Sequence, residues 1–551
     1  MTVLAGTEPP TAPMRQVARV GVGSVLAGRD ALTILAVLLI GTPVIATLLI
    51  GVFAGGGATW THITQTFFWT YLLNTVLVLA GTATLILATA VPTAWLVTMH
   101  EFPGRALFSW LLILPLAAPG YVLAFSYADL LGVAGPVQTG LRDITGLSAR
   151  DYWFPDIRSP GGCAFVLSAA LYPYVYLTAR AAFTTQSICI LDAARSLGAA
   201  APRRFLTVAL PGARPAIAAG LALALMEAAA DYGAADFLGV QTLTVGVFRA
   251  WSSFGDAAAG ARLALVLVAL TLALRWFERL QRGGAGYQAS SARWRNLHRS
   301  KLPGWRGALA TVACALVFCW GFAFPVARLI WLSIAEADQT PPVWDATWNS
   351  VILALSGAGA AFLVGLIIAI GARRGRLIGK VGQWVAASGY AMPGAVLALG
   401  GLYALSTLPI RMTASAAILI LVAVYVSRFA AAGTASIEAG LERAPASLGQ
   451  AARSLGASGF QTAIRIDLPL VVPGTAAAML ILFVETLKEL PATLMLRPFN
   501  WDTLAVRAYA YATDDRLSAA ALPSLMITLC GLLPVMLLSW RLSASRPGQR
   551  P

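Results

Sequence analysis

The heptapeptide AARSLGA occurs twice in the chain, at residues 193–199 and again 258 positions later at 451–457. The same offset relates Glu227 to Glu485, well beyond the repeated peptide. Self-similarity kept over this distance indicates a tandem duplication. The chain must therefore build its fold from two similar halves joined end to end.

Apolar segments fill most of both halves. Hydrophobic residues make up 58% of the chain and charged residues only 11%, whereas soluble domains carry about 25% charged residues. Runs long enough to cross a bilayer lie near 31–53, 70–99, 106–131, 162–183, 213–231, 260–277, 307–334, 349–371, 382–405, 413–433, 472–488 and 519–540. We predict an all-α integral membrane protein with about twelve transmembrane helices in two homologous six-helix halves. An even number of helices per half gives both copies the same orientation, related by a pseudo-twofold axis along the membrane normal, as in parallel-repeat transporters.

Lys and Arg fall in short clusters between the apolar runs, so the net charge of +15 indicates membrane orientation and not nucleic-acid binding. The positive-inside rule places both termini in the cytoplasm. We expect these parts: a cytoplasmic tail 1–30, a first half 31–280, a cytoplasmic linker 281–304, a second half 305–541 and a tail 542–551. Loop 133–160 carries acids beside its arginines, and we interpret it as an external subdomain.

Each heptapeptide lies in a long loop with the same spacing, at 187–211 and at 437–469. Two Ala follow a polar residue, three further residues separate them from a Gly, and a Leu-Pro pair closes the loop. This pattern resembles the EAA loop of ABC importer permeases, across both halves of the chain. The positions that match the family's coupling loop are Asp192, Ala193, Ala194, Gly198, Pro211, Gln450, Ala451, Ala452, Gly456 and Pro469. Gln450 departs from the pattern because it lacks the leading acid's charge.

The resemblance implies a type I ABC importer permease fold, a location in the bacterial inner membrane and several partners. Two cytosolic ABC ATPase subunits would dock on the two coupling loops, and a periplasmic substrate-binding protein would deliver the substrate. The chain contains no GxxxxGK[ST] phosphate loop, so ATP and Mg²⁺ are expected on the partner subunits. We expect this chain to have no enzymatic activity or cofactor of its own, and to contact membrane lipid but no nucleic acid.

Acidic residues end one apolar helix in each half. Glu227 and Asp231 are four residues apart and share a helical face, as do Glu485 and Glu489. Intramembrane acids are costly and usually functional, and oxygen ligands suit hard cations. We predict that these four carboxylates line the translocation pathway, with transient metal contact at Glu227 and Asp231. A structural role stays open, since Lys488 and Arg497 are near enough in sequence to neutralise the second pair.

The segment KELPATLMLRPFNWDTLAVRAY at 488–509 is similar to ferric-iron ABC permeases, as is the fused two-half architecture. This resemblance favours ferric iron as the substrate. A permease for thiamine or another small organic cation is the nearest alternative. A secondary transporter driven by a proton or sodium gradient, with the acids as a proton relay, is a third.

Two further patterns carry structural expectations. Pro115, Pro119 and Pro393 lie inside apolar runs and are expected to kink their helices. Tyrosines flank Pro173 on both sides, at Tyr172, Tyr174 and Tyr176. Anchoring at the membrane interface is the first expectation for them, with pathway lining as the second.

Overall fold

The computed structural model describes most of the membrane domain. The described residues are 31–55, 57–185, 194, 196–198, 200–282, 299–335, 342–373, 377–407, 409, 413–441, 451–452, 454–456, 459–462, 465 and 468–544. Apart from one two-stranded pair, their regular structure is helical. This confirms the prediction of an all-α membrane protein.

The helices of the first half follow the predicted apolar runs closely. They are α1 Ala31–Phe53, α2 Ala58–Thr66, α3 Phe68–Met99, α4 Arg105–Leu111, α5 Gly120–Leu131, α6 Pro136–Thr145, α7 Pro160–Thr185, α8 Leu210–Ala230, α9 Gly233–Phe237, α10 Leu243–Ser252 and α11 Ala257–Arg282. A short helical turn at Ala201–Arg204 and a π-helical turn at Phe205–Ala209 lead directly into α8.

The second half repeats this order with a shorter connection after its broken helix. Its helices are α12 Trp305–Phe318, α13 Phe324–Ala335, α14 Trp344–Arg373, α15 Leu377–Tyr390, α16 Gly394–Ser406, α17 Ala414–Leu441, α18 Leu468–Leu487, α19 Pro491–Leu496, α20 Leu504–Thr513 and α21 Leu517–Ala544. A π-helical turn at Cys319–Ala323 joins α12 to α13.

Within the described residues, ten helices are long and apolar enough to cross a membrane, or eleven when the bent pair α15–α16 counts as one span. Two of the twelve predicted runs are not among these ten: 382–405 is the bent pair α15–α16, and 472–488 appears only as the shorter apolar helix Ala478–Leu487 among the residues searched. Pro119 and Pro393 adopt extended backbone, with φ −61°, ψ 151° and φ −58°, ψ 148°. The following Gly120 and Gly394 each start a new helix, and α15 and α16 meet at 116°. These prolines therefore divide their helices, a larger effect than the expected kinks.

Each half forms a bundle of the same three long helices. In the first half α7 packs along α3 and α8, and in the second α17 packs along α14 and α18. We call the end of the bundle that carries Gly198 and Gly456 the motif side, and the opposite end the far side. Small residues allow the helices to approach closely. A Cβ at Gly220 of α8 would lie 2.2 Å from Thr178 Oγ1 of α7.

The first helix of each half packs against the other half. Helix α1 lies along α15 and α16, and Thr47 Oγ1 donates to the Val396 carbonyl at 2.9 Å. Helices α12 and α13 lie against α4 and α5 in return. There the Tyr127 hydroxyl donates to the Trp320 carbonyl, and Arg328 pairs with Asp129. The two halves are thus interlocked by exchanged helices.

A two-residue parallel clasp joins the halves on the motif side. His100–Glu101 (β1) pairs with Ser300–Lys301 (β2). Glu101 accepts from Arg105 Nε at 2.9 Å and from Arg299 Nη1 at 3.0 Å. Partial burial raises the pKa of Glu101, but the hydrogen bonds and charges of Arg299 and Arg105 outweigh it and hold that pKa below its usual value. The clasp fixes the end of the linker 281–304 to the loop after α3.

Candidate functional site: a charged cavity between the halves

A cavity of about 70 Å³ lies between the two halves, where α8 and α18 end on the far side. Its walls come from the starts of α5 and α9, from the middle of α7 and α17, and from the segment that joins α18 to α19. The four predicted pathway carboxylates all line it: Glu227, Asp231, Glu485 and Glu489. The structure therefore brings together the residues that the repeat had paired.

Corresponding positions of the two halves face each other across this cavity. At the 258-residue offset, Ala170 of α7 corresponds to Arg428 of α17, and both line the cavity. Ala230 corresponds in the same way to Lys488. The first half thus contributes two carboxylates and two alanines where the second half contributes two carboxylates and two cations.

Arg428 is the centre of the ionic contacts and bridges the halves. Its Nη1 lies 3.1 Å from Glu489 Oε1 in its own half, and its Nη2 lies 3.7 Å from Glu227 Oε1 in the other half. The side chain of Glu489 is 1% exposed and that of Glu227 is 28% exposed. Arg428 therefore neutralises a fully buried carboxylate while leaving Glu227 partly open to the cavity.

Lys488 forms an ion pair with Glu485, as its position in the sequence suggested. Its Nζ lies 2.8 Å from Glu485 Oε1, three residues earlier on the same chain segment. Arg497, the other candidate cation, instead pairs with Asp502 beyond α19. Glu485 is consequently paired with a cation of its own chain segment.

Asp231 and Glu489 each stabilise the short helix that follows them. Asp231 Oδ1 accepts the backbone N–H of Ala234 in α9 at 2.8 Å. Glu489 Oε1 and Oε2 accept the N–H groups of Ala492 and Thr493 in α19, at 3.1 and 3.2 Å. Carboxylates in the first turn satisfy N–H groups that lack an intrahelical partner. These two acids are therefore held in fixed positions by the backbone.

The repeated Pro-Gly pair brings the broken helix of each half against these acids. A Cβ at Gly120 would lie 2.9 Å from Asp231 Oδ2, and a Cβ at Gly394 would lie 2.1 Å from Glu489 Oε1 and 2.7 Å from Arg428 Nη1. Any larger residue at either position would displace a cavity carboxylate. This explains on steric grounds why glycine follows the helix-breaking proline in both halves.

A second polar contact between the halves lies beyond the cavity on the far side. Asp236 Oδ2 in α9 accepts hydrogen bonds from the hydroxyls of Tyr232, at 3.2 Å, and of Tyr509 in α20. Arg249 Nη2 lies 3.7 Å from Asp236 Oδ1. Tyr232 also lines the cavity, so this junction adjoins the cavity on that side.

On the motif side the two glycines of the repeated loop share an unusual backbone. Gly198 has φ +78° and Gly456 has φ +85°, and a Cβ at either would meet nothing within 4 Å. The left-handed backbone, and not crowding, is what requires glycine there. The preceding Leu197 and Leu455 are 87% and 88% exposed. Both loops therefore present an apolar side chain to the surroundings in the same way.

The structure describes only some of the remaining residues of the predicted coupling loops. Pro211 and Pro469 are the second residues of α8 and α18. Ala194, Ala451 and Ala452 lie in short helical segments before the glycines. Asp192, Ala193 and Gln450 lie outside the described residues, and their assigned role in coupling stays a prediction.

Sequence reasoning missed Arg428 and misplaced the tyrosines. Arg428 interrupts the apolar run 413–433, and a lone charge inside a membrane span is the signal that identifies it. The tyrosines around Pro173 are not interfacial anchors: Tyr172 and Tyr176 are fully buried, and Tyr174 lines the cavity. The alternative expectation, pathway lining, fits Tyr174 alone.

Two interlocked helical halves around a charged internal cavity define a membrane transport permease. The sequence pattern of the family described as binding-protein-dependent transport system inner membrane component matches residues 88–283 and again residues 361–547. The chain belongs to this family and is a multi-pass inner membrane protein, not an enzyme. The double match also confirms that it contains two permease halves.

Individual relatives cover the chain to different extents. The Fe(3+)-transport system permease protein FbpB 2 of Haemophilus influenzae is 24% identical over 454 residues, which cover 81% of this chain and 84% of the relative. The molybdenum transport system permease protein ModB of Escherichia coli is 28% identical over 203 residues, covering 35% of this chain and 86% of the relative. The putative 2-aminoethylphosphonate permease PhnV of Salmonella typhimurium is 28% identical over 262 residues, covering 44% of this chain and 97% of the relative.

Proposed function

We propose that this chain is the permease of an ATP-driven importer that moves ferric iron, delivered by a periplasmic binding protein, into the cytoplasm. The observation that carries the proposal is the carboxylate-lined cavity between the halves. The similarity to an Fe(3+) permease over most of both chains supports it. Shorter relatives named for molybdenum or 2-aminoethylphosphonate match about half of the chain or less.

The charge of the cavity favours a multivalent cation. Four carboxyl groups face two cations, Arg428 and Lys488, so the six groups have a formal net charge of −2. Glu227 is the acid that combines cavity exposure with a long 3.7 Å contact to its cation. Asp231 lies one helical turn further along, with Oδ2 facing Gly120. We assign the transient contacts with iron to these two carboxylates.

Iron is cargo here, and the cavity suits passage better than storage. Among the described residues, no group of three or more His, Cys, Asp or Glu side chains is arranged to hold a metal ion. Glu485 and Glu489 are each engaged by a cation at 2.8 and 3.1 Å. A pathway with few free oxygen ligands releases its ion readily, which rapid transport requires.

We assign energy coupling to the two repeated loops. Gly198 and Gly456 share a left-handed backbone, and the adjacent Leu197 and Leu455 are exposed in the same way. Two equivalent apolar contacts suit two copies of one cytosolic ATPase, which would bind ATP and Mg²⁺. The motif side is then cytoplasmic, together with both termini, as the Lys and Arg distribution favours.

A second candidate substrate is an oxyanion. Arg428 and Lys488 line the cavity, and Arg is well suited to bind oxyanions through paired hydrogen bonds. Both cations are already paired with carboxylates, which lowers their availability to an anion. We therefore rank this candidate, like thiamine or another organic cation, below ferric iron.

The test is ATP hydrolysis by the chain reconstituted in nanodiscs with its cognate ATPase and receptor. The receptor is added empty, or after incubation with Fe³⁺, molybdate or thiamine. We expect stimulation by the Fe³⁺-loaded receptor only. Stimulation by a molybdate- or thiamine-loaded receptor instead would keep the importer and reject iron. Uptake that needs a proton or sodium gradient but no ATPase would reject the importer itself.

A further inference from the structure

Tyrosines are distributed around the cavity as unequally as the cations are. Among the described residues that line the cavity, every tyrosine belongs to the first half: Tyr121, Tyr174 and Tyr232. Counted from the repeated Pro-Gly pair and from the 258-residue offset, the second half has apolar residues at the corresponding positions: Ala395, Ala432 and Leu490. The first half therefore places phenols beside its carboxyl groups, whereas the second half places cations beside its own.

Two of these three phenols have no hydrogen-bond partner in the described part of the chain. Tyr121 is 3% exposed, and its buried hydroxyl is unpaired. Tyr174 is half-buried in the middle of α7, and its hydroxyl makes no hydrogen bond to a described residue. Tyr232 differs, because its hydroxyl donates to Asp236. An unpaired buried hydroxyl is costly, so the oxygen of Tyr121 needs a partner that the described residues do not supply.

Tyr121 lies at the level of the cavity that is nearest the far side. Its hydroxyl is close enough to Asp231 and Glu489 for the charges of both acids to act on it. Glu489 is already paired with Arg428 at 3.1 Å. Asp231 is therefore the acid of this level that can share a cation with Tyr121, and both residues belong to the first half.

Tyr174 lies at a second level, one turn of α8 nearer the motif side. The acids close enough for their charges to act on its hydroxyl are Glu227 and Glu485. Glu485 is paired with Lys488 at 2.8 Å, whereas the cation nearest Glu227 is at 3.7 Å. Glu227 is thus the less engaged acid of this level. Each level contains one phenol and one such carboxyl group, both from the first half.

We propose that Tyr121 and Tyr174 bind the transported ferric ion through their phenol oxygens, each together with the carboxyl group of its level. This inference rests on the proposed function and adds two ligands to it. Tyrosine is an iron ligand in proteins, and hard cations prefer oxygen ligands. Binding forms an Fe–O bond and breaks the phenolic O–H bond. The proton leaves to water, and the iron stays ferric.

Two levels one turn apart give the ion two successive positions between the far side and the motif side. Each position offers one phenol and one carboxyl group of the first half, so water completes the coordination of the ion. The ion is then held less tightly than in a site closed by protein ligands, as passage requires. A trivalent ion displaces a phenolic proton more readily than a divalent ion of similar size, because its charge is higher. The phenols therefore favour Fe³⁺ over divalent metals.

The test compares Tyr121→Phe, Tyr174→Phe and their double variant with Tyr172→Phe, in the full chain assembled with its ATPase in nanodiscs. Tyr172 is the matched control, since its hydroxyl is also buried without a partner but is not part of the cavity lining. Each substitution removes a hydroxyl and no hydrogen bond, so thermal unfolding should stay near that of the native chain. Ferric nitrilotriacetate is the probe. Phenolate ligation is measured from the visible charge-transfer band of ferric phenolates.

We expect the band in the native chain and in Tyr172→Phe, a weaker band in each cavity variant and none in the double variant. Iron uptake from the loaded receptor should fall several-fold in the cavity variants and stay at the native rate in Tyr172→Phe. Native uptake in both cavity variants, or Fe³⁺ transport by a chain that shows no band, would overturn this proposal and leave the iron importer intact. A native complex that transports no Fe³⁺ would overturn the proposed function together with this inference.

Discussion

The two walls of the cavity come from corresponding positions of a duplicated chain, yet they differ in charge. The first half supplies Glu227 and Asp231 beside alanines, whereas the second half supplies Glu485 and Glu489 beside Arg428 and Lys488. In the second wall two cations balance the charge of the two acids, whereas the first wall has two acids and no cation. Duplication therefore preserved the positions of the acids, while cations were placed beside the acids of one wall only; under the proposed function, the wall without cations is the one that contacts the cargo.

The motif side shows the opposite result. Gly198 and Gly456 have nearly the same φ, and their neighbouring leucines are equally exposed. The repeated loops therefore keep the same geometry in both halves, whereas the cavity walls have diverged in charge. The following substitutions test this difference, beginning with the largest effect.

Arg428→Ala should destabilise the protein most, by about 3–5 kcal/mol, because it leaves the buried Glu489 carboxylate without a counter-charge. Thermal unfolding in nanodiscs measures this loss. The double variant Arg428→Ala, Glu489→Gln should recover part of it, since the uncompensated charge is removed as well. If the single variant unfolds like the native chain, the second wall is not held together by this ion pair.

Gly198→Val and Gly456→Val should each abolish receptor-stimulated ATP hydrolysis, because a left-handed backbone costs a residue other than glycine about 1–2 kcal/mol and the loop must rearrange. Ala200→Val is the matched control, since it adds similar volume to the same exposed loop without a positive φ. Equal effects at both glycines are expected. A loss at one glycine only would show that the halves couple unequally.

Ala230→Lys gives the first wall the cation that the second wall has at Lys488. The new ammonium, three residues from Glu227, should neutralise that acid and lower iron uptake about tenfold, equivalent to about 1.4 kcal/mol. Uptake by proteoliposomes containing the ATPase and receptor measures it. Lys488→Ala is the reciprocal variant and should leave uptake near the native rate. Unchanged uptake in Ala230→Lys would argue against cargo contact at the first wall.

Glu227→Gln should lower iron uptake by about fivefold and Glu485→Gln by about twofold or less, roughly 1 and 0.4 kcal/mol. The reason is that Glu485 already has Lys488 at 2.8 Å, whereas Glu227 is more open. Both substitutions keep side-chain size, so each controls for the other. Equal losses would mean that both walls contact the substrate alike.

Glu101→Gln should have the smallest effect, below about 1 kcal/mol, because its ion pairs are partly exposed. The pKa of Glu101 is lower in the folded protein, so its contribution is present above the unfolded pKa of about 4.3 and is lost as the pH falls through the lower, folded value. Unfolding measured at pH 7 and at pH 3.5 should differ less in Glu101→Gln than in the native chain. The same pH dependence in the variant and the native chain would mean that the ion pairs of Glu101 do not contribute to stability.

The repeat made much of the site predictable from the amino-acid sequence. The constant offset pairs Glu227 with Glu485 and Asp231 with Glu489, and the apolar runs locate the spans to within a few residues. The repeat did not reveal Arg428, because the corresponding residue of the first half is Ala170. Comparing the two halves identifies only the residues that they share. At Pro119 and Pro393 the sequence predicted kinks, whereas the structure has breaks. The sequence does not show that a carboxylate packs against the glycine after each proline, Gly120 or Gly394.

The exchange of first helices has a consequence for how the protein is made. Helix α1 leaves the ribosome early, but its packing partners α15 and α16 are synthesised more than 300 residues later. At about 5–20 residues per second, α1 waits in the membrane for tens of seconds with its contact surface uncovered. A fused chain ensures that the partner arrives in the same place and in equal number. Insertion factors that shelter single helices would therefore be needed most by the earliest part of this chain.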